Sequence, residues 1–338
     1  MLYRKILKQA WAITWQNKYL WAFGLFTALL GGSGEYKILS VLNLDVNNSF
    51  FSFWNRLINT GIFDGNILTN IGNTIKEDPF TFLIILFIYL VIITLVVLVV
   101  WLTIVSQVAI VNNTAGILIN PAHQGKNSAN KNYKDGLVSG INNFWPVFGL
   151  NIINKLIISF IIFFVALLAI FTWIKTGSMA AYLSYIISFI ILVPLAVILS
   201  FIIKYAIVYI VIKGKDLIDS IKFGWNLFIK NWLISIEMAF ILFFINFIVV
   251  LLWFLLVVAI LVIPLLFLTF IFYKFHLIAA FWLMLIIILL FILISLALAA
   301  AVLTTFQISS WTTLTVELIS RGGTSKITRV VSDFFGKK

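Results

Sequence analysis

The chain has no cysteine, only two histidines and only eleven acidic residues among its 338 positions. Without thiols there can be no disulfide framework, no thiolate nucleophile and no cysteine-based metal site. His123 and His276, with so few carboxylates, leave little material for acid–base chemistry. The motifs G-x-S-x-G and H-E-x-x-H, a P-loop and a paired intramembrane aspartate motif are all missing, so hydrolase and ATPase mechanisms lack their groups. Charged residues make up 10% of the sequence, against roughly 25% in a soluble domain. The length would allow two soluble domains; the composition excludes them. The expectation is a protein that is not an enzyme and carries no cofactor and no metal.

Apolar residues make up 63% of the chain, and their uninterrupted runs exceed the ~20 residues a bilayer-spanning helix needs. The fold class that follows is all-α, a polytopic membrane helical bundle with about six transmembrane helices. A net charge of +12 would point to nucleic acid in a soluble protein. Here the placement of the charges excludes nucleic acid as a partner, because they follow the loops.

Six spans are expected: Asn17–Gly31 (a continuation of an Ile6–Trp15 helix), Pro79–Val111, Pro146–Trp173, Ala181–Ile212, Trp232 to near Pro264, and Leu277 to about Thr305, running on towards Leu318. Pro79 and Pro146 suit first-turn positions, while Pro194 and Pro264 predict a kink or break. The stretch Leu265–Tyr273 leaves three options: a continuation of the fifth span, a re-entrant piece or an interfacial turn. Arg4, Lys5 and Lys8 before an apolar run resemble a signal peptide, but the long Trp-rich lead and the lack of an A-x-A site favour an uncleaved first helix.

Orientation follows from the Lys/Arg bias. One set of loops holds Arg4, Lys5, Lys8, Lys126, Lys131, Lys134, Lys213, Lys215 and the Arg321–Lys338 tail; the opposite set holds Lys37, Arg56, Lys76, Lys175 and Lys274. Both termini are therefore expected in the cytoplasm of a cell-membrane protein, as an even number of spans requires. The outer loop 32–78 carries five acids and three bases and two weakly amphipathic stretches around the Asp64-Gly65 turn signal. It reads as short surface helices in preference to a binding lid.

A short pattern occurs twice, 84 residues apart (135 to 219): Asp135-Gly136-x3-Gly140-x-Asn142-x-Phe144 and Asp219-Ser220-x3-Gly224-x-Asn226-x-Phe228. A looser copy keeps the spacing of Trp225 and Asn231 at Trp11 and Asn17. Three internal repeats follow, at about 1–116, 131–213 and 215–320, each an amphipathic lead-in segment followed by two crossings. Ile218, Ile221, Trp225, Phe228 and Trp232 form one helix face, expected to lie in the headgroup region. Asp135 and Asp219 suit N-caps. Gly136 and Gly140, like Ser220 and Gly224, place small residues one turn apart for close helix packing. Such packing within the chain is preferred over docking of another protein. The tail 324–338 puts Ile327, Val330, Val331, Phe334 and Phe335 beside Lys326, Arg329, Lys337 and Lys338. A basic amphipathic tail of this kind suits anionic headgroups at the cytoplasmic face, and recruitment of a protein partner is the second reading.

Ionisable residues within spans are functional candidates by default. Lys155 and Glu237 are the two here, and the repeat register puts them within ~3 Å in depth. With Asn151, Asn154 and Asn246 they define a candidate polar zone. Three readings stay open: a hydrophilic path or substrate site, a buried pair that fixes packing, or side chains that snorkel to the surface.

The segment Trp11-x3-Trp15-x-Asn17-Lys18-x2-Leu20-Trp21-x-Phe23-Gly24, with the repeated Gly-x-Asn-x-Phe, resembles a group of multi-pass bacterial membrane proteins. It is similar to the membrane domain attached to some glycerophosphodiester phosphodiesterases. The resemblance covers nearly the whole chain and implies a six-span bundle of hairpins with interfacial linkers. In those proteins catalysis belongs to a separate soluble domain, so no catalytic residue carries over. Two functions are expected: a non-catalytic membrane protein that organises lipid or partners, or a transporter or lipid-handling protein using the polar zone.

Overall fold

The computed structural model describes residues 2–29, 79–119, 129–174, 179–262 and 278–321, with 265, 268, 269 and 274. The expectations for the 32–78 loop, most of 265–276 and the 324–338 tail lie outside these residues. Among the described residues the chain is all-helical, with no strand: α1 Leu2–Gln16, α2 Leu20–Leu29, α3 Pro79–Ile119, α4 Ala129–Asn142, α5 Phe144–Ile174, α6 Met179–Lys213, α7 Leu217–Val257 and α8 Ile278–Arg321. In hydrocarbon no water can satisfy a backbone N–H or C=O, so apolar runs close their bonds internally as helices.

Among the described residues five helices are long and apolar enough to cross a membrane: Pro79–Ile119, Phe144–Val165, Ile186–Lys213, Leu217–Leu261 and Phe281–Ser320. At 41 residues, α3 extends ~60 Å, twice a ~30 Å hydrocarbon core, so it must tilt or project beyond the bilayer. Pro79 opens α3, where its missing N–H costs nothing, and Pro194 is accommodated inside α6. Gly214 closes α6 at φ 58°, donating its N–H to the Ile210 carbonyl at 2.9 Å. This is the left-handed C-terminal stop that glycine adopts without strain. Beyond Val257 the helix widens to a π turn over Val258–Val262. It lies just ahead of Pro264 in the sequence, a residue that has no N–H to give the carbonyl four residues earlier.

Several sequence expectations change here. The first helix is not continuous: α1 and α2 are separated at Asn17–Tyr19, and α2 has only 10 residues, ~15 Å of helix. The third lead-in segment is not a separate interfacial helix, because α7 runs from it straight into the crossing with a kink at Asn231 (φ −132°, ψ 28°). Neither repeated aspartate is an N-cap. Asp216 holds the cap position of α7 in extended backbone, leaving Asp219 in the first turn, and Asp135 lies well inside α4. In the first turn Asp219 still meets the positive end of the helix dipole.

Three helix interruptions, at Asn17, Asn143 and Asn231, each carry an asparagine with the same bond. The side-chain amide Nδ2 donates to the carbonyl four residues back: Asn17 to Ile13 at 2.9 Å, Asn143 to Ser139 at 3.0 Å, Asn231 to Leu227 at 3.1 Å. Asparagine side chains compete with the backbone for such carbonyls, which is why they disrupt helix interiors.

The chain forms two compact units. One comprises Met1–Gly32, Leu102–Phe148 and Lys204–Lys338. Its centre is rich in hydroxyls, and all seven serines and threonines between Thr304 and Thr315 of α8 are buried. Thr305 donates to the carbonyls of Ala301 and Leu20, Thr103 to that of Phe26, and the Thr114 and Ser309 hydroxyls lie 3.1 Å apart. A Cβ at Gly24 would collide with the Ala301 carbonyl and the Thr305 hydroxyl, so the missing side chain is what lets α2 lie on α8. Lys5 of α1 pairs with Glu317 of α8 at 3.0 Å. The other unit, Ser33–Trp101 and Gly149–Ile203, has a small apolar centre of Ile158, Ile161 and Ala196.

Candidate functional site

The two units divide the sequence-predicted polar zone. Asn151, Asn154 and Lys155 on α5 belong to the second unit, and Glu237 and Asn246 on α7 to the first. On α5, Asn151 and Lys155 are one turn apart on one face. Lys155 is exposed, while Asn151 and Asn154 are half-buried. The Asn154 Oδ1 is buried without a hydrogen-bond partner among the described residues. On α7, Glu237 is half-buried and Asn246 buried. Nine residues at 3.6 per turn put these two on opposite sides of the helix. Asn246 instead continues the buried stripe of Ser235, Met238 and Leu242.

The small-residue positions sit at close crossings. In α4, Gly136 and Gly140 are buried, and both face α3. A Cβ at Gly140 would lie 2.6 Å from the Val105 carbonyl oxygen, and one at Gly136 would run into the Asn113 amide and Ala109. In α7, Ser220 and Gly224 are likewise buried, whereas Ile218, Trp225 and Trp232 are exposed. The small face turns inward; of the predicted aromatic face Trp225 and Trp232 are exposed, as rings at a membrane interface would be, but Phe228 is buried, so the face is not wholly outward as expected.

Two constellations escaped the sequence reading. The first crosses from α6 to α7 and α8. The Tyr205 hydroxyl lies 2.6 Å from that of Ser235, which itself donates to the Asn231 carbonyl at the kink. Beside it the Lys204 ammonium stands 4.6 Å from the centre of the Trp311 ring, a cation–π contact. The density of hydroxyls in Thr304–Thr315 was the available signal, and an apolar periodicity search passes over it.

The second is a cavity of about 280 Å³ at the end of α3. Asn112, Asn113 and Gly116 form one side, Asp135 of α4 another, and Val211 and Ile212 at the end of α6 a third. Asn113 is 6% exposed, and its Nδ2 has no hydrogen-bond partner among the described residues. Asp135 is exposed. Neither Lys155, Glu237 nor Asn246 lines this cavity. Among the described residues no cluster of histidine, aspartate and glutamate could hold a metal ion.

Comparison with protein-family models, with curated proteins and with solved structures found no match. The architecture itself defines the class: a multi-pass α-helical membrane protein.

Proposed function

We propose that this is a non-catalytic integral membrane protein that associates with and organises lipid. One observation carries the reading: the long helices bury one part of their length and expose another on every side. Thr103–Ile117 of α3 is largely buried, whereas Leu83–Leu98 presents large apolar side chains all round. Helices α7 and α8 likewise expose Phe247–Leu256 and Trp282–Leu298. Such surfaces are stable only against hydrocarbon. Polar groups of the buried parts contribute to packing, as the Thr305–Leu20, Thr114–Ser309 and Tyr205–Ser235 contacts illustrate.

The protein sits in the cell membrane with six crossings and both termini in the cytoplasm. The Lys5–Glu317 pair supports a common side for the two ends of the chain, and the Lys/Arg bias assigns that side. Helix α2 belongs to the first of these crossings. An asparagine break near each lead-in segment supports three related repeats, the one at Asn143 falling a turn earlier than those at Asn17 and Asn231. The basic tail 324–338 adds anionic headgroups, or a cytoplasmic protein, as partner. The resemblance to the phosphodiesterase-attached membrane domain fits this reading without lending it an activity.

Flux measurements in reconstituted vesicles test it against transport. Wild type, Lys155→Met and Glu237→Gln should be alike, with no substrate-dependent flux above protein-free vesicles. Flux in wild type that either substitution abolishes, with folding intact, would replace this function with transport through the polar zone.

A further inference from the structure

We propose that the cavity between α3, α4 and the end of α6 is a site for a primary ammonium group tethered to an oxyanion, as in a phosphoethanolamine headgroup. The inference rests on the lipid-associated reading and deepens it by naming a headgroup class.

The chemistry of the walls selects the ligand. Asp135 contributes a carboxylate, and among the described residues it makes no ion pair or hydrogen bond. A carboxylate at the mouth of a cavity attracts a cation and repels a bare phosphate. Asn113, more than nine-tenths buried, contributes an Nδ2 donor that no described residue uses. A buried donor left unmade is costly; this one lies against Gly136 of α4, and a turn of the side chain towards the cavity would let an oxyanion or ester oxygen satisfy it. The Asn112 amide can donate and accept. A ligand that answers all three carries a cationic donor and an acceptor a few bonds apart.

Two further observations narrow the class. Among the described residues none that lines the cavity is aromatic, so these offer no cage for a quaternary ammonium. A primary ammonium can donate three hydrogen bonds instead. The remaining wall is aliphatic, with Ile117, Ile119, Val211 and Ile212, which suits the glycerol and upper acyl region of a lipid. The exposed Lys134 and Lys213 adjoin the lining residues in the chain. A volume of about 280 Å³ is close to the lower end of small-molecule sites, ~300 Å³, and fits a headgroup better than a whole lipid.

The tight contact at Gly136 explains how the site is assembled. With no Cβ there, α4 approaches the Asn113 amide closely enough to bring the neighbouring Asp135 to the cavity. Gly116, in contrast, faces open space: an added Cβ meets nothing within 4 Å. That position allows the cavity to be filled without a clash at its first atom.

The test uses full-length protein, purified and examined by native mass spectrometry after exchange with phosphatidylethanolamine, phosphatidylcholine or phosphatidylglycerol of identical acyl chains. Wild type should retain one phosphatidylethanolamine in preference to the other two. Asp135→Asn and Gly116→Leu should each reduce that preference roughly tenfold, the scale of one charge-assisted hydrogen bond. Equal retention of the three lipids by wild type would overturn the proposal, as would an unchanged preference in Gly116→Leu. Asp135 is exposed, so its substitution keeps the test valid if Gly116→Leu fails to fold. Displacement of the retained lipid by soluble phosphoethanolamine would uphold the chemistry and assign the site to a free compound; retention against it assigns the site to the lipid. Loss of headgroup preference with vesicle flux still absent sinks only this inference and leaves the lipid-organising function standing.

Discussion

The two copies of the Asp-[Gly/Ser]-x3-Gly-x-Asn-x-Phe pattern do different work in the folded protein. In the α4 copy Asp135 opens onto a cavity, and Gly136 and Gly140 press against Asn113 and Val105 of α3. In the α7 copy Asp219 turns to its own helix, 3.7 Å from Lys222 and well exposed. Ser220 likewise stays local, donating to the Lys215 carbonyl at 3.3 Å. The helix break falls at Asn143 inside one copy and at Asn231 just after the other, one turn later relative to the pattern. A shared pattern therefore specifies a helix with a small inward face. What that face meets depends on its neighbours.

The largest expected difference comes from Gly140. Gly140→Ala sets a Cβ 2.6 Å from the Val105 carbonyl oxygen and 3.1 Å from its Cα, backbone atoms that cannot swing aside. It should cost roughly 1–3 kcal/mol, seen as a lowered thermal unfolding midpoint in detergent. Gly116→Ala is the control, since no atom lies within 4 Å. It should match wild type or gain up to ~1 kcal/mol from helix propensity. If both substitutions are neutral, α4 does not depend on its close crossing with α3.

The asparagines come next. Asn143→Ala and Asn231→Ala each remove one side-chain bond to a carbonyl four residues back and should cost about 1 kcal/mol each by the same measurement. A large cost at only one of them would mean that the two breaks are not equivalent devices. Tyr205→Phe belongs to this class and should also cost about 1 kcal/mol, because Ser235 keeps its bond to the Asn231 carbonyl.

The smallest stability effects belong to the aspartates, and they sharpen the contrast most. Asp219→Asn should change the unfolding midpoint by less than about 0.5 kcal/mol, since exposed pairs three residues apart contribute little, and lipid retention should not change. Asp135→Asn should be equally silent in unfolding while losing the headgroup preference. An identical response from both would erase the functional difference between the two copies.

The membrane class, the helical character and the approximate limits of the long helices were legible in apolar run length, because hydrocarbon leaves a chain few other options. Pro79 and Pro146 marked the starts of α3 and α5 to within two residues, since proline is tolerated in a first turn. The cap assignments to Asp135 and Asp219 failed because polar residues ahead of each aspartate were read as loop, while the helices extend through or beyond them. The division at Asn17 was missed because a single asparagine hardly alters an apolar periodicity. The link from Lys155 to Glu237, and the addition of Asn246, were argued from depth alone. Depth along a helix carries no information about azimuth, which sets Glu237 and Asn246 on opposite sides of α7.

The sequence by itself determined that this protein is a set of apolar helices in a membrane, what chemistry it lacks, and where small residues permit close approach. Those properties are local, and residue type and spacing encode them directly. Only the tertiary structure decided which glycine meets which backbone, that hydroxyls of α8 bond to neighbouring helices, and that Asp135 and Asn113 share a cavity that Asp219 does not line. Asn113 and Asp135 are distant in the chain and belong to different helices. Their meeting depends on the crossing at Gly136, and no spacing rule within either segment contains it.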